Sequence, residues 1–170
     1  MTLKLKIHGP IDIPVSRLAN SSIKRISPDN KRAFLSILED EGLDRKQGCY
    51  IFSLRAGRGF CPWYIGKTTR CFAYECVGAH QMERYNEVLF SGRKGSPVMF
   101  FVAPEGRKKT VPKSICDDLE WYLINQAFQE NADIANDRKL IAQWSIKGVF
   151  GEGRGRPAGN EEQFQLMMGI

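Results

Sequence analysis

Nowhere in these 170 residues do about 18 or more apolar side chains run together, so no membrane span is expected. The opening "MTLKLKIHGPIDIPV" is basic, but it lacks the continuous apolar core and small-residue cleavage site of a secretory leader. The five cysteines, at 49, 61, 71, 76 and 116, form no CxxC pair. Reduced thiols in a cytoplasmic protein fit that scatter. Cys71, Cys76 and His80 match no common zinc spacing, and buried apolar cysteines are the better reading. Internal repeats and low-complexity blocks are also missing. Hydrophobic residues make up 42% and charged residues 26%, the balance of an ordinary globular chain, which argues against wholesale disorder.

What is there in excess is positive charge. Lys and Arg outnumber Asp and Glu by 25 to 19, for a net charge of +6 and a pI near 9.1. A polyanion such as nucleic acid is the partner that this balance favours, against the plainer reading of a merely basic surface.

Residues 3 to 15 alternate or run apolar around Gly9-Pro10, predicting one or two short strands broken by a turn. "SPDNKRAFLSILEDEGL" opens with the cap-forming Ser27, Asp29 and Asn30, and spaces Phe34, Leu35, Ile37 and Leu38 as a helix before Gly42. "GCYIFSL" and "PWYIGK" read as two strands of a hairpin, with Gly57, Gly59 and Pro62 in the connection. "FAYECVGAHQMERYNEVLF" is helix-like, weakened by Gly78; "SPVMFFVAP" is a third strand. "KSICDDLEWYLINQAFQE" reads as an amphipathic helix with Ile115, Leu119, Tyr122, Leu123, Ala127 and Phe128 on its apolar side. The tail holds an apolar segment, "LIAQWSIKGVF", a glycine-rich loop, and a last short helix docking Phe164, Leu166 and Met167. The class is therefore α+β, in one globular unit: residues 1–46 a strand and helix extension, 47–138 the core, and 139–170 a C-terminal extension.

Two of the strands carry a tyrosine near a glycine, in Gly48-Cys49-Tyr50 and Tyr64-Ile65-Gly66. Neighbouring strands lie about 5 Å apart, so both phenols can face one cleft; strand tyrosines more often simply pack. Glu120 borders the apolar side of the later helix, where a carboxylate can hold a hard divalent cation, although an edge glutamate in water is the commoner case. Asn136 in "DIANDR" would, taken alone, be a turn residue.

In this order and spacing, "GCY", "YIGK", a helix, an apolar strand, a helix with internal Glu120, and then Asn136 resemble the GIY-YIG endonuclease family over about residues 47 to 138. The resemblance implies a small three-stranded antiparallel sheet flanked by helices. It also implies Mg²⁺- or Mn²⁺-dependent hydrolysis of phosphodiester bonds in DNA, with RNA not excluded. By carry-over Tyr50 is the general base, Tyr64 positions the phosphate, and Glu120 is the metal ligand. Asn136 supports the site through hydrogen bonds, and Gly66 allows close backbone approach. A phenol ordinarily ionises near pH 10, and Lys67 beside Gly66 would supply the field that lowers it.

One position departs from the family pattern. The customary arginine, ten residues past the YIG tyrosine, is Tyr74 here, with Ala73 and Glu75 beside it. Arg70 is the nearest substitute and Arg84 the second choice. His80 falls where many relatives have a helix histidine, and is either a phosphate contact or a surface residue. The alternative function is a catalytically inactive nucleic-acid-binding protein that keeps the fold. Arg55 and Arg58 at the hairpin tip, "GRKG" at 92–95 and "EGRKKT" at 105–110 are further candidate backbone contacts. "GRGRPAG" shares four residues with the centre of an AT-hook but lacks its basic flanks, and reads as a glycine-rich loop.

Overall fold

The computed structural model describes residues 3–137, 141–144, 146 and 159–169. The AT-hook-like stretch, up to residue 158, and most of the apolar segment 140–150 lie outside the described residues. Among the described residues no helix is long and apolar enough to cross a membrane.

The class is α+β. Its main sheet combines β1 (Leu5–Asp12), β4 (Gly48–Ala56), β5 (Gly59–Thr68) and β6 (Ser96–Pro104), all antiparallel, in the order β1-β6-β4-β5. Three strands were expected and four are present. The first segment, read as part of an extension, pairs with β6 from Leu5 opposite Pro104 to Asp12 opposite Val98, because β6 is buried and needs a partner on both edges. Two short strands, β2 (Ser16–Arg17) and β3 (Lys24–Arg25), pair with each other beside it.

Helix α1 (Pro28–Asp40) starts where its sequence says it should. The Ser27 hydroxyl accepts from the Asn30 backbone N–H, the Asn30 side chain accepts from the Ser27 N–H, and Pro28 follows the cap. Phe34 and Leu38, one turn apart, are its fully buried contacts with the sheet. The single helix expected around Gly78 is two, α2 (Phe72–Glu75) and α3 (Ala79–Phe90), broken at Val77-Gly78. α4 (Lys113–Glu130) buries Cys116, Ile124, Asn125 and Ala127. Tyr122, expected on its apolar side, is 54% exposed because the stripe that meets the sheet runs along 116, 120, 124 and 127. α5 (Asn160–Met168) forms, but Phe164, Leu166 and Met167 are exposed rather than docked.

Strand alternation sorts the core into two layers. Tyr50, Phe52 and Leu54 of β4, with Met99, Phe101 and Ala103 of β6, pack against Phe34, Leu38, Phe72, Tyr85 and Val88 of α1, α2 and α3. From the opposite face Ile51 and Ile65 pack against Leu123, Ile124, Ala127 and Phe128 of α4, with Ile134 and Ile141. The register slips between Phe52 opposite Tyr64 and Ser53 opposite Pro62, so Trp63 is the extra residue of a bulge. The bulge lets Trp63 and Tyr64 both reach the first layer although they are consecutive.

Candidate active site

β5 is an edge strand, and its outer edge is covered by the chain that follows α4. The Asn131 side chain donates to the Pro62 carbonyl at 2.8 Å, and the Ala135 N–H donates to the Trp63 carbonyl at 2.8 Å. Asn136 closes the row: its Oδ1 accepts from the Ile65 N–H at 2.9 Å and its Nδ2 donates to the Ile65 carbonyl at 2.6 Å. A side-chain amide thus takes the place of a neighbouring strand at the residue between Tyr64 and Gly66. The resemblance expected Asn136 to support the site; both arms of its side-chain amide bond the backbone of Ile65.

The two phenols meet. The Tyr50 and Tyr64 rings are 6.3 Å apart, tilted by 43°, and Tyr50 stands directly across from Gly66. A Cβ on residue 66 would lie 2.3 Å from both Cζ and Oη of Tyr50, so the ring occupies the space that any other side chain would need. What approaches closely at Gly66 is the tyrosine itself. Gly48, with φ +140°, is constrained from the other strand, where a Cβ would come 2.0 Å from the Val102 carbonyl oxygen. Gly48 and Gly66 therefore each have a packing reason.

Tyr50 is 1% exposed, while Tyr64 is only partly buried. Burial, then the neighbouring Tyr64, holds the Tyr50 phenol far above its usual range, and a hydrogen bond with Gln81 opposes this. Burial also raises Tyr64, against which the Arg84 guanidinium and a hydrogen bond from Tyr50 work to favour its phenolate. Of the pair, Tyr64 is the one solvent reaches. Tyr85 completes the aromatic group, stacked on Phe52 at 4.3 Å, with its hydroxyl donating to the Cys76 carbonyl at 2.8 Å.

The cation at the tyrosines is Arg84. Its guanidinium carbon is 5.5 Å from the centre of the Tyr64 ring, Nε donates to His80 Nε2 at 2.9 Å, and Nη1 donates to the Ala135 carbonyl. His80 is exposed and serves as the acceptor for Arg84 through Nε2. Arg70 is exposed, and its guanidinium lies 3.7 Å from the centre of the Tyr74 ring. The Arg84 charge favours the Tyr64 phenolate, and the Glu120 and Glu75 carboxylates oppose it. The i,i+4 spacing of His80 and Arg84 is the sequence signal for their pairing. An open cleft of about 660 Å³ lies alongside, lined by Tyr74, Glu75, His80 and Gln81 with Lys31 and Leu35 of α1.

Lys67, one residue beyond Gly66, belongs to the opposite face of β5. Its Nζ lies 2.7 Å from Glu120 Oε2 and 2.9 Å from Asp117 Oδ1. Burial alone would lower the lysine, but hydrogen bonds with Glu120 and Asp117 outweigh it and raise its pKa above the usual lysine range. Asp117, which the sequence reading passed over, sits one helical turn before Glu120, and its carboxyl is held low by hydrogen bonds from Lys113 and Lys67. Glu120 is 14% exposed. Two carboxylates already aimed at one ammonium form an oxygen donor set of the kind a hard cation takes; among the described residues no three of His, Cys, Asp or Glu gather around a common point. Cys49, Cys76 and Cys116 are buried, and all five cysteines are free.

The basic stretches are partly neutralised. Arg55 pairs with Asp12 at 2.7 Å and Arg93 with Asp133 at 3.1 Å. No family model matches this chain, and no curated protein or solved structure matches it.

Proposed function

We propose that this protein is a divalent-metal-dependent DNA endonuclease of the GIY-YIG type, hydrolysing phosphodiester bonds. The observation that carries the reading is the phenol pair itself: Tyr50 and Tyr64 come from neighbouring strands to 6.3 Å, with a guanidinium over the more accessible ring. Close packing alone explains two adjacent tyrosines, but not an arginine held near the partly exposed one by His80 and the Ala135 carbonyl.

Tyr64 is assigned the contact with the attacking water or the phosphate, because it is the phenol that solvent reaches. Tyr50 stands behind it, buried and directly across from Gly66. Arg84 is assigned the role of the family's arginine, neutralising the charge that grows on the phosphate oxygens, since it faces Tyr64 and Arg70 faces Tyr74. His80 holds the Arg84 Nε, and Asn136 holds β5 in register beneath Tyr64. Glu120 would hold a Mg²⁺ or Mn²⁺ ion, using the side of the carboxylate not taken by Lys67, with phosphate oxygens and water completing the shell. When bound, such an ion stabilises charge on the phosphate and on the leaving oxygen.

The test is nicking of supercoiled plasmid with Mg²⁺ or Mn²⁺. Tyr64→Phe, Arg84→Ala and Glu120→Ala are each expected to lower cutting by about a hundredfold to a thousandfold while DNA binding persists. Arg70→Ala is expected to leave cutting nearly unchanged. A wild type that binds DNA yet never cuts, over varied metals and substrates, would sink the enzyme reading in favour of an inactive nucleic-acid-binding relative. The deep burial of Tyr50 is the observation that favours this second reading.

A further inference from the structure

The basic stretches of the sequence fare differently in the fold. Arg55 and Arg93 are paired with Asp12 and Asp133. Arg107, Lys108 and Lys109 are consecutive and exposed in the turn after β6, and among the described residues their side chains make no ion pair or hydrogen bond. The backbone of that turn, by contrast, is firmly held. The Gln47 N–H donates to the Lys109 carbonyl at 2.8 Å, and the Gln47 side chain accepts from the Val111 N–H at 2.9 Å and donates to the Thr69 carbonyl at 2.6 Å. The Lys46 ammonium donates to the Pro104 and Gly106 carbonyls at 3.2 and 3.3 Å, and the Glu105 N–H donates to the Lys4 carbonyl at 3.0 Å. Chain from four places in the sequence thus meets at one end of the main sheet, where β4 begins and β5 and β6 finish. Lys46 and Lys6 bring further positive charge: after burial, their charges hold the His8 imidazole below its usual range, with Glu41 opposing. Glu105 is the one carboxylate of the turn.

Gathering cations on a fixed turn with no counter-charge costs repulsion, which a polyanion lying across them would relieve. A turn whose backbone is bonded while its cations stay in water suits evenly spaced phosphates, which ask for charge rather than for a pocket. We infer that Arg107, Lys108 and Lys109, with the Lys46 charge beside their backbone, form the surface that holds backbone phosphates of the DNA substrate beside the bond that is cut. The inference rests on the nuclease reading for its substrate. Gln47 sets this surface against the site. The Thr69 carbonyl that it grips is three residues past Gly66, at most about 10 Å of chain, and a duplex strand carries a phosphate about every 3.4 Å of its axis. A duplex with one phosphate at Tyr64 therefore reaches the turn within a few nucleotides.

Binding of a short fluorescently labelled duplex is measured by anisotropy with EDTA present, over about 50 to 200 mM salt. Lys108→Glu combined with Lys109→Glu is expected to weaken binding roughly tenfold or more at about 0.1 M salt, and to lower the slope of log affinity against log salt by about two. The main-chain carbonyl of residue 109, which Gln47 uses, is kept in this variant, and its fold is checked by circular dichroism. The control is Arg17→Glu with Arg25→Glu on the β2–β3 ribbon, an equal change of net charge. That ribbon lies at the other end of β6, where the Lys24 ammonium donates to the Gly95 carbonyl, so about 30 Å of strand separates it from the turn. At several Debye lengths, the control is expected to move Kd by less than about threefold. Equal losses from the two pairs, or an unchanged slope in the first, overturn the inference. Binding to phosphatidylserine vesicles that Lys108→Glu with Lys109→Glu abolishes, with duplex binding untouched, would assign the turn to a membrane surface and overturn it too. A slope that falls as expected in a protein that never cuts keeps the surface and discards the nuclease. Cutting that persists with Kd unaltered in the first pair does the reverse.

Discussion

Strand β5 has two unlike faces. On one, the Tyr50 and Tyr64 phenols lie among Phe72, Tyr85 and Phe52, with their hydroxyls held neutral by burial. On the other, one residue along, Lys67 keeps its charge between two carboxylates at the border of α4. The difference follows from what desolvation costs each group. A neutral phenol is buried for the price of one hydrogen bond, whereas an ammonium stays charged only beside counter-charges and near water. A close-packed pair of phenols and an ammonium held between carboxylates thus lie on opposite sides of the same strand.

The contrast can be broken first on its packed side. Tyr50→Ala is expected to lose about 3–5 kcal/mol of stability in urea melts, against about 1 kcal/mol for Tyr50→Phe, which keeps the ring. Similar losses for both would mean that the hydroxyl, not the packing, anchors this face. Gly66→Ala comes next, at about 1–3 kcal/mol, because the new methyl meets the Tyr50 ring at 2.3 Å. It should also displace the ring, visible as changed near-ultraviolet dichroism; an unperturbed spectrum would contradict the contact.

Alkali probes the same face through linkage. Burial raises the Cys49, Cys76 and Cys116 thiols and the Tyr50, Tyr64 and Tyr85 phenols. Above about pH 8.5 for thiols and about pH 10 for phenols the unfolded chain ionises while the folded chain keeps its protons. The folded state then binds more protons, so stability is complete below that range and falls as pH rises, by about 1.4 kcal/mol per pH unit for each such group. Melts from pH 7.5 upward should show it, and a flat profile to pH 10.5 would refute it.

On the charged face the effects are smaller. Lys67→Met leaves Asp117 and Glu120 facing each other across one turn, and should cost about 1 kcal/mol, discounted for partial exposure and shrinking with added salt. A salt-independent loss would indicate packing by the lysine stem instead. Smallest is Arg70→Ala, about 0.5 kcal/mol for an exposed guanidinium on the Tyr74 ring, read as a melting shift near the limit of detection.

Much of the fold was legible along the chain. The α1 cap at Ser27, the hairpin turn at Gly57, and β6 between two prolines follow from residues close in sequence, where local chemistry decides. The errors came where a partner distant in sequence decides. The strand at residues 5–12 could be read, but not that it completes the sheet on β6; helix α4 could be read, but not which stripe its neighbours would cover. For the site, the two tyrosines and Glu120 were visible as types at a spacing. The ranking of Arg70 over Arg84 relied on sequence distance to Tyr64, and the turn at Val77-Gly78 re-aims α3 so that the farther arginine is the nearer one.

By itself, then, the sequence determined the class of elements, the absence of a long apolar span, the basic balance, and the two glycine-flanked tyrosines, since composition and short-range periodicity are properties of the chain alone. Only the tertiary structure decided that Tyr50 is buried behind Tyr64, that Lys67 turns to α4 and away from the phenols, and that Trp63 shares a face with its neighbour. Each of those depends on strand register, the bulge and helix docking, which are set by contacts between segments far apart in sequence.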